Sequence, residues 1–176
     1  MPAIRLIDRL THPRGLLILL SIFGLVFGTI LFTLSQLTSV SGGFGILDFD
    51  VGYDMARVKE VLGSYGPDGM RLYARIQLLD LINPALYSLV AAAFTRMLCR
   101  ERDPDWLCLL PLLGGLGDYA ENITLFLLTR SFPDISEGLV ATSSTLSLVK
   151  NGLMLVGLLP LIVGFAFLIA RVLRRR

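Results

Sequence analysis

GLLILLSIFGLVFGTILFTLSQL, residues Gly15–Leu37, decides the fold. No charged side chain occurs from Gly15 as far as Leu47. A helix over 15–37 rises ~34 Å, slightly more than the ~30 Å hydrocarbon core of a bilayer, so the stretch reads as a membrane span with modest tilt. Arg5, Arg9 and Arg14 precede it, as basic residues precede the apolar stretch of a signal peptide. The run exceeds the ~7–15 residues of a signal h-region and lacks a convincing small-residue cleavage site, so a retained first helix is expected.

Working outward, three more apolar stretches are long enough to cross: about 76–98, 106–129 and 145–170. The expected fold is therefore all-α: one membrane domain over residues 1–176, a four-transmembrane-helix bundle. Composition agrees. The chain is 54% hydrophobic and 17% charged with a mean hydropathy of +0.71, against about 25% charge in soluble domains. Lipid tolerates only helices or closed barrels as spanning structures. The net charge of +2 is small and the basic residues collect at segment ends, which excludes nucleic acid as a partner.

Those basic ends set an orientation, because positively charged short flanks stay cytoplasmic. Arg5, Arg9 and Arg14 come first, Arg96, Arg100 and Arg102 lie between the second and third stretches, and Arg171, Arg174, Arg175 and Arg176 end the chain. Both termini and the middle loop are expected inside a cell membrane, the plasma or inner membrane. The loops 38–75 and 130–144 then face outward. Cys99 and Cys108 flank the middle loop and are expected as free thiols in a reducing compartment. The absence of any Cys-x-x-Cys pair removes quinone-linked disulfide chemistry.

The first outer loop carries an amphipathic pattern over 53–62. Met55, Val58, Val61 and Leu62 recur at helical spacing against Asp54, Arg57, Lys59 and Glu60, which predicts a short helix on the outer surface, with Gly63 as its stop. Gly66-Pro67-Asp68-Gly69 predicts a turn into the second span. Asp48, Asp50 and Asp54 are spaced like the start of a calcium loop, but Glu60 misses the twelfth position, so a solvated acidic turn is expected and no metal. Ser143, Ser144 and Thr145 are expected to cap the fourth span.

The informative residues are ionisable ones inside the spans: Asp80 in the second, Asp118 and Glu121 in the third, and Lys150 in the fourth. A charge at the bilayer centre costs at least ~2.5 kcal/mol, so such groups turn inward and pair, or mark a functional path. Given the orientation, Asp80, Glu121 and Lys150 lie ~6–12 Å below the outer ends of their helices, at one level, with Asp118 beneath. Tyr73, Gln77, Asp80, Asn83 and Tyr87 advance in steps of four and three along one stripe. Gly114, Asp118, Glu121 and Asn122 do the same, the glycine admitting a close neighbour, and Lys150 and Asn151 sit together. Pro84 leaves the Asp80 carbonyl without its helical donor. The acids outnumber Lys150 unless Arg71 or Arg75 reaches down, so a carboxyl stays protonated or a cation completes the site.

The expected ligand-binding residues are thus Asp80, Asn83, Tyr87, Asp118, Glu121, Asn122, Lys150 and Asn151, with Glu121 and Asp118 as candidate catalytic acid or base. No cofactor is expected. Four readings stay open: a site for a proton, cation or lipid headgroup, a membrane enzyme acting on a lipid or isoprenoid, an accessory subunit of a membrane complex or homo-oligomer, and polar contacts that only hold helices together, with Lys150 snorkelling outward. Gly24 and Gly28 form a small-xxx-small pair expected to pack within the bundle.

The residues Ser64-Tyr65-Gly66 through Tyr73, Arg75-Ile76-Gln77 with Asp80, Pro84 and Tyr87, Asp118 with Glu121-Asn122, Phe132-Pro133 and Lys150 resemble a family of small bacterial four-helix integral membrane proteins with no assigned activity. The resemblance covers about residues 50–170. It implies the same bundle and the same polar positions.

Overall fold

A computed structural model describes residues 2–99 and 105–174. Arg100, Arg102, Arg175 and Arg176, used above for orientation, lie outside the described residues, as does the side chain of Cys99.

The described residues form seven α-helices: α1 (Pro2–Leu10), α2 (Pro13–Val40), α3 (Met55–Ser64), α4 (Gly66–Leu79), α5 (Asn83–Cys99), α6 (Leu110–Ser131) and α7 (Glu137–Leu173). Short 3-10 turns occupy Leu47–Phe49 and Asp105–Leu109. Helices α2 and α7 are long and apolar enough to cross a membrane, and α4 with Asn83–Leu98 makes a third candidate if that pair, bent by 42°, is one broken span.

The expected helix over 76–98 is therefore two. Its first part begins at Gly66, so Gly66-Pro67-Asp68-Gly69 is the first turn of α4 rather than a turn ahead of it. Gly66 adopts φ +58°, a left-handed conformation that glycine reaches without a Cβ clash, and this separates α3 from α4. Helix α3 accordingly runs to Ser64, past the expected stop at Gly63. The α4–α5 break falls at Asp80–Ile82, just before Pro84, where the proline ring denies the backbone its continuing hydrogen bond. Helix α7 starts at Glu137, where the Ser136 hydroxyl accepts from the Leu139 amide at 3.3 Å. Ser143, Ser144 and Thr145 lie inside that helix and do not cap it.

Helix α3 is more than a surface strap. Its Val58, Val61 and Leu62 are at most 1% exposed and join Val26, Ile30 and Leu37 of α2, Tyr73 and Ile76 of α4, and Leu125 and Leu128 of α6 in one core. Burying such side chains contributes ~1.5–3 kcal/mol each. The N-terminal helix α1 was not expected. It lays Ile7 against Ala92 and Cys108, while Arg96 binds Asp8 at 2.8 Å and also pairs with Asp105.

Glycines set the α6–α7 crossing. A Cβ on Gly117 would sit 3.1 Å from the Lys150 Cα, one on Gly157 2.9 Å from the Pro111 Cα, and one on Gly114 3.2 Å from the Met154 Cα. Gly115 does the same toward α5, 2.9 Å from the Pro84 carbonyl. The close approach read from Gly114 is present. Gly24 and Gly28 instead face away from the chain, with nothing within 4 Å, because α2 meets its neighbours through Val26, Ile30, Thr33 and Leu37.

Candidate functional site

Helices α6 and α7 bring two stripes face to face. Asp118, Glu121 and Thr124 on α6 recur at helical spacing opposite Ser143, Ser147 and Lys150 on α7, and all six are buried. Lys150 Nζ pairs with Glu121 Oε2 and lies 3.7 Å from Asp118 Oδ1. Asp118 Oδ2 accepts from the Tyr87 hydroxyl of α5 at 2.9 Å. Thr124 donates to Ser143 Oγ at 2.9 Å, and Ser143 shares a hydrogen bond with the Tyr53 hydroxyl at 2.6 Å. Lys150 thus points into the protein with 5% exposure rather than snorkelling to the surface. The other Glu121 oxygen, Oε1, is buried with no hydrogen-bond donor among the described residues.

A loop covers this group. Ser147 Oγ donates to the Asp50 carbonyl at 3.1 Å, the Tyr53 amide donates to Ser144 Oγ at 3.0 Å, and Lys150 Nζ reaches the Asp48 carbonyl at 3.4 Å. Asp48, expected in a solvated acidic turn, is instead drawn inward to this site, because the loop that carries it is pinned to α7. Its Oδ2 faces the Tyr73 hydroxyl at 3.5 Å. Burial pushes its carboxyl up to about 7, Asp80 and Glu121 add to the rise, and Lys150 opposes it. Burial also raises the phenols of Tyr53 and Tyr65. The other acids of that loop have partners of their own: Asp50 binds Arg57 at 2.7 Å, and Asp54 caps α3 by accepting from the Arg57 amide.

Asp80, Asn83 and Asn122 form a second, adjacent group. Asn122 Nδ2 donates to the Asp80 carboxylate at 2.8 Å and to the Asp80 carbonyl at 3.3 Å, so the donor that Pro84 removed comes from α6. Asn83 Nδ2 donates to the same carboxylate at 3.0 Å. The single stripe expected from Tyr73 to Tyr87 is divided by the helix break: Tyr73 faces Asp48, Gln77 donates to Thr129 at 3.1 Å, and only Tyr87 reaches Asp118. Asn151 lies apart from both groups, its amide donating to the Ser147 carbonyl of its own helix. Arg71 does not reach inward, since it pairs with Asp68 while both stay exposed.

Around Lys150, then, stand the carboxyl groups of Asp118 and Glu121 and the Asp48 carbonyl, with the Asp48 carboxyl under the influence of Lys150, Glu121 and Asp80. Such a group can store a proton and exchange it between carboxyl oxygens. Among the described residues, no group of three or more His, Cys, Asp or Glu side chains is placed to hold a metal ion. No family model, curated protein or solved structure matches the chain.

Proposed function

We propose that this chain is a multi-pass membrane protein that binds a proton at the buried group formed by Lys150, Glu121, Asp118 and Asp48. One observation carries the reading: two carboxyl groups, those of Asp118 and Glu121, share one buried ammonium, and Glu121 Oε1 is buried with no donor among the described residues. A buried net negative charge is costly, and a proton is the smallest neutralising partner. Asp80, Asn83 and Asn122 hold the neighbouring helix break in place and supply part of the field.

The supporting arrangement is four crossings, by α2, the bent α4–α5 pair, α6 and α7, with the termini on the cytoplasmic side of the cell membrane. Helix α6 is rich in polar groups for a span, and their pairing with α5 and α7 makes that position tolerable. Single cysteines at His12, Lys59 and Asp134 in a cysteine-free background test the topology. Membrane-impermeant maleimide added to whole cells is expected to label the latter two and spare the first.

The proton is tested by pH-jump titration of purified protein with an indicator dye, in a His12→Ala background that removes the one histidine. The expected result is uptake near neutral pH that Asp48→Asn abolishes in a folded protein and that Glu121→Gln moves to lower pH, by removing a neighbouring negative charge. If Glu121→Gln changes thermal stability and leaves proton uptake untouched, the polar group serves only to hold helices together. Co-purification in fixed ratio with other subunits would instead favour an accessory role.

A further inference from the structure

Beside the bend at Asp80–Ile82, α4 and α6 enclose a groove of about 530 Å³. Ala74, Leu78 and Leu81 form one wall, and Ile123, Phe126 and Leu127 the other. Hydrogen bonds from Gln77 to Thr129 and from Asn122 to Asp80 bridge the helices. The volume lies within the ~300–1,000 Å³ of small-molecule pockets. On the multi-pass reading above, this groove opens sideways at membrane depth. Water has too few polar partners on such walls to fill it, whereas a lipid tail matches them.

The groove is polar at one end. Arg130 closes it near the outward end of α6 and lies over the Phe126 ring, 5.1 Å from its centroid, with its guanidinium exposed. A cationic rim above an apolar slot complements a phosphate above an acyl chain. We propose that the α4–α6 groove holds one anionic phospholipid of the surrounding bilayer, its acyl chain between Leu78 and Phe126 and its phosphate at Arg130. The site is separate from the buried carboxyl group.

Native mass spectrometry of the delipidated full-length protein in detergent tests this, using dioleoyl phosphatidylglycerol and dioleoyl phosphatidylcholine as probes. One arginine near an anionic headgroup is worth about 1 kcal/mol, so a preference of about fivefold or more for phosphatidylglycerol is expected. Arg130→Gln should erase most of that preference, Arg130→Lys should keep it, and Ala74→Phe, which fills the slot, should weaken both lipids. Equal binding of the two lipids by the wild type, or a preference unchanged in Arg130→Gln, would overturn the proposal. Because binding is read in detergent, its failure is distinct from a failure of the four-crossing topology, which cysteine labelling reports.

Discussion

Lys150 of α7 and Glu121 of α6 form an ion pair in which the lysine side chain is 7% exposed and the glutamate 0%. At this burial the desolvation of both ions is large, and the pair is favourable only as a pair. Lys150→Met alone leaves Glu121 and Asp118 without their cation and should destabilise the protein by about 3–5 kcal/mol. Adding Glu121→Gln should recover much of that loss, because the orphaned charge goes with it. Thermal unfolding in detergent of the two single variants and the double variant measures the coupling. Additive losses would mean that the two side chains act independently.

Asp48 gives the structure a pH dependence of definite sign. Its carboxyl ionises near 3.8 when free and near 7 in place. Between those values the folded protein holds a proton that the unfolded chain has released, so stability falls as pH rises from about 4 to about 7 and is then level. The groups facing it are Lys150, Glu121, Asp80 and Tyr73. The total effect is on the order of a few kcal/mol, at ~1.4 kcal/mol per pH unit. Asp48→Asn should flatten this slope and leave the variant more stable than wild type at pH 8. Melting curves between pH 4.5 and 8 decide it, and matching slopes would remove Asp48 as the cause.

How far the sequence reaches depends on whether the period of a helix carries the information. Asp118, Glu121 and Lys150 are legible because they repeat on faces of long helices, so spacing alone aligns them. Asp48 is not, since it reaches the site through a loop 102 residues before Lys150 in the chain, and no periodicity links a loop to a helix. A local signal did exist: Asp48 stands in Ile46-Leu47-Asp48-Phe49, an acid among apolar neighbours. Pro84 announced a free carbonyl at Asp80 but not a full break, because whether a proline kinks or ends a helix depends on what supplies the missing donor. Here Asn122 does so from another helix. Helix α1 is not legible in the sequence because its short pattern, Ile4 and Ile7 beside Arg5 and Asp8, becomes meaningful only when Ala92 and Arg96 are there to receive it.

Asn122 should matter more than its partial exposure suggests. It satisfies both the carbonyl and the carboxylate of Asp80. Asn122→Ala should cost about 1–3 kcal/mol, the penalty of leaving such acceptors without a donor. Pro84→Ala in the same chain restores an amide that can donate to the Asp80 carbonyl, and should return part of the loss. Unfolding of the three variants checks this, and a Pro84→Ala change that only adds to the damage would place the cause elsewhere than in the missing donor.

The glycines divide into two classes by what a methyl group would strike. At Gly115 a Cβ meets Ser88 Oγ at 2.8 Å and the Pro84 carbonyl at 2.9 Å, and at Gly157 it meets the Pro111 Cα at 2.9 Å. Backbone cannot rotate aside as a side chain does, so Gly115→Ala and Gly157→Ala force helices apart and should cost about 1–3 kcal/mol. Moving α6 relative to α7 also separates Asp118 from Lys150, so proton uptake should weaken in Gly157→Ala along with stability. At Gly24 and Gly28 the space is open, and alanine is better than glycine within a helix by about 1 kcal/mol. Gly24→Ala and Gly28→Ala should therefore be neutral or stabilising in the isolated chain. Loss of stability at either position, measured by thermal unfolding in detergent, would show that the open face of α2 is covered by another helix in the assembled protein.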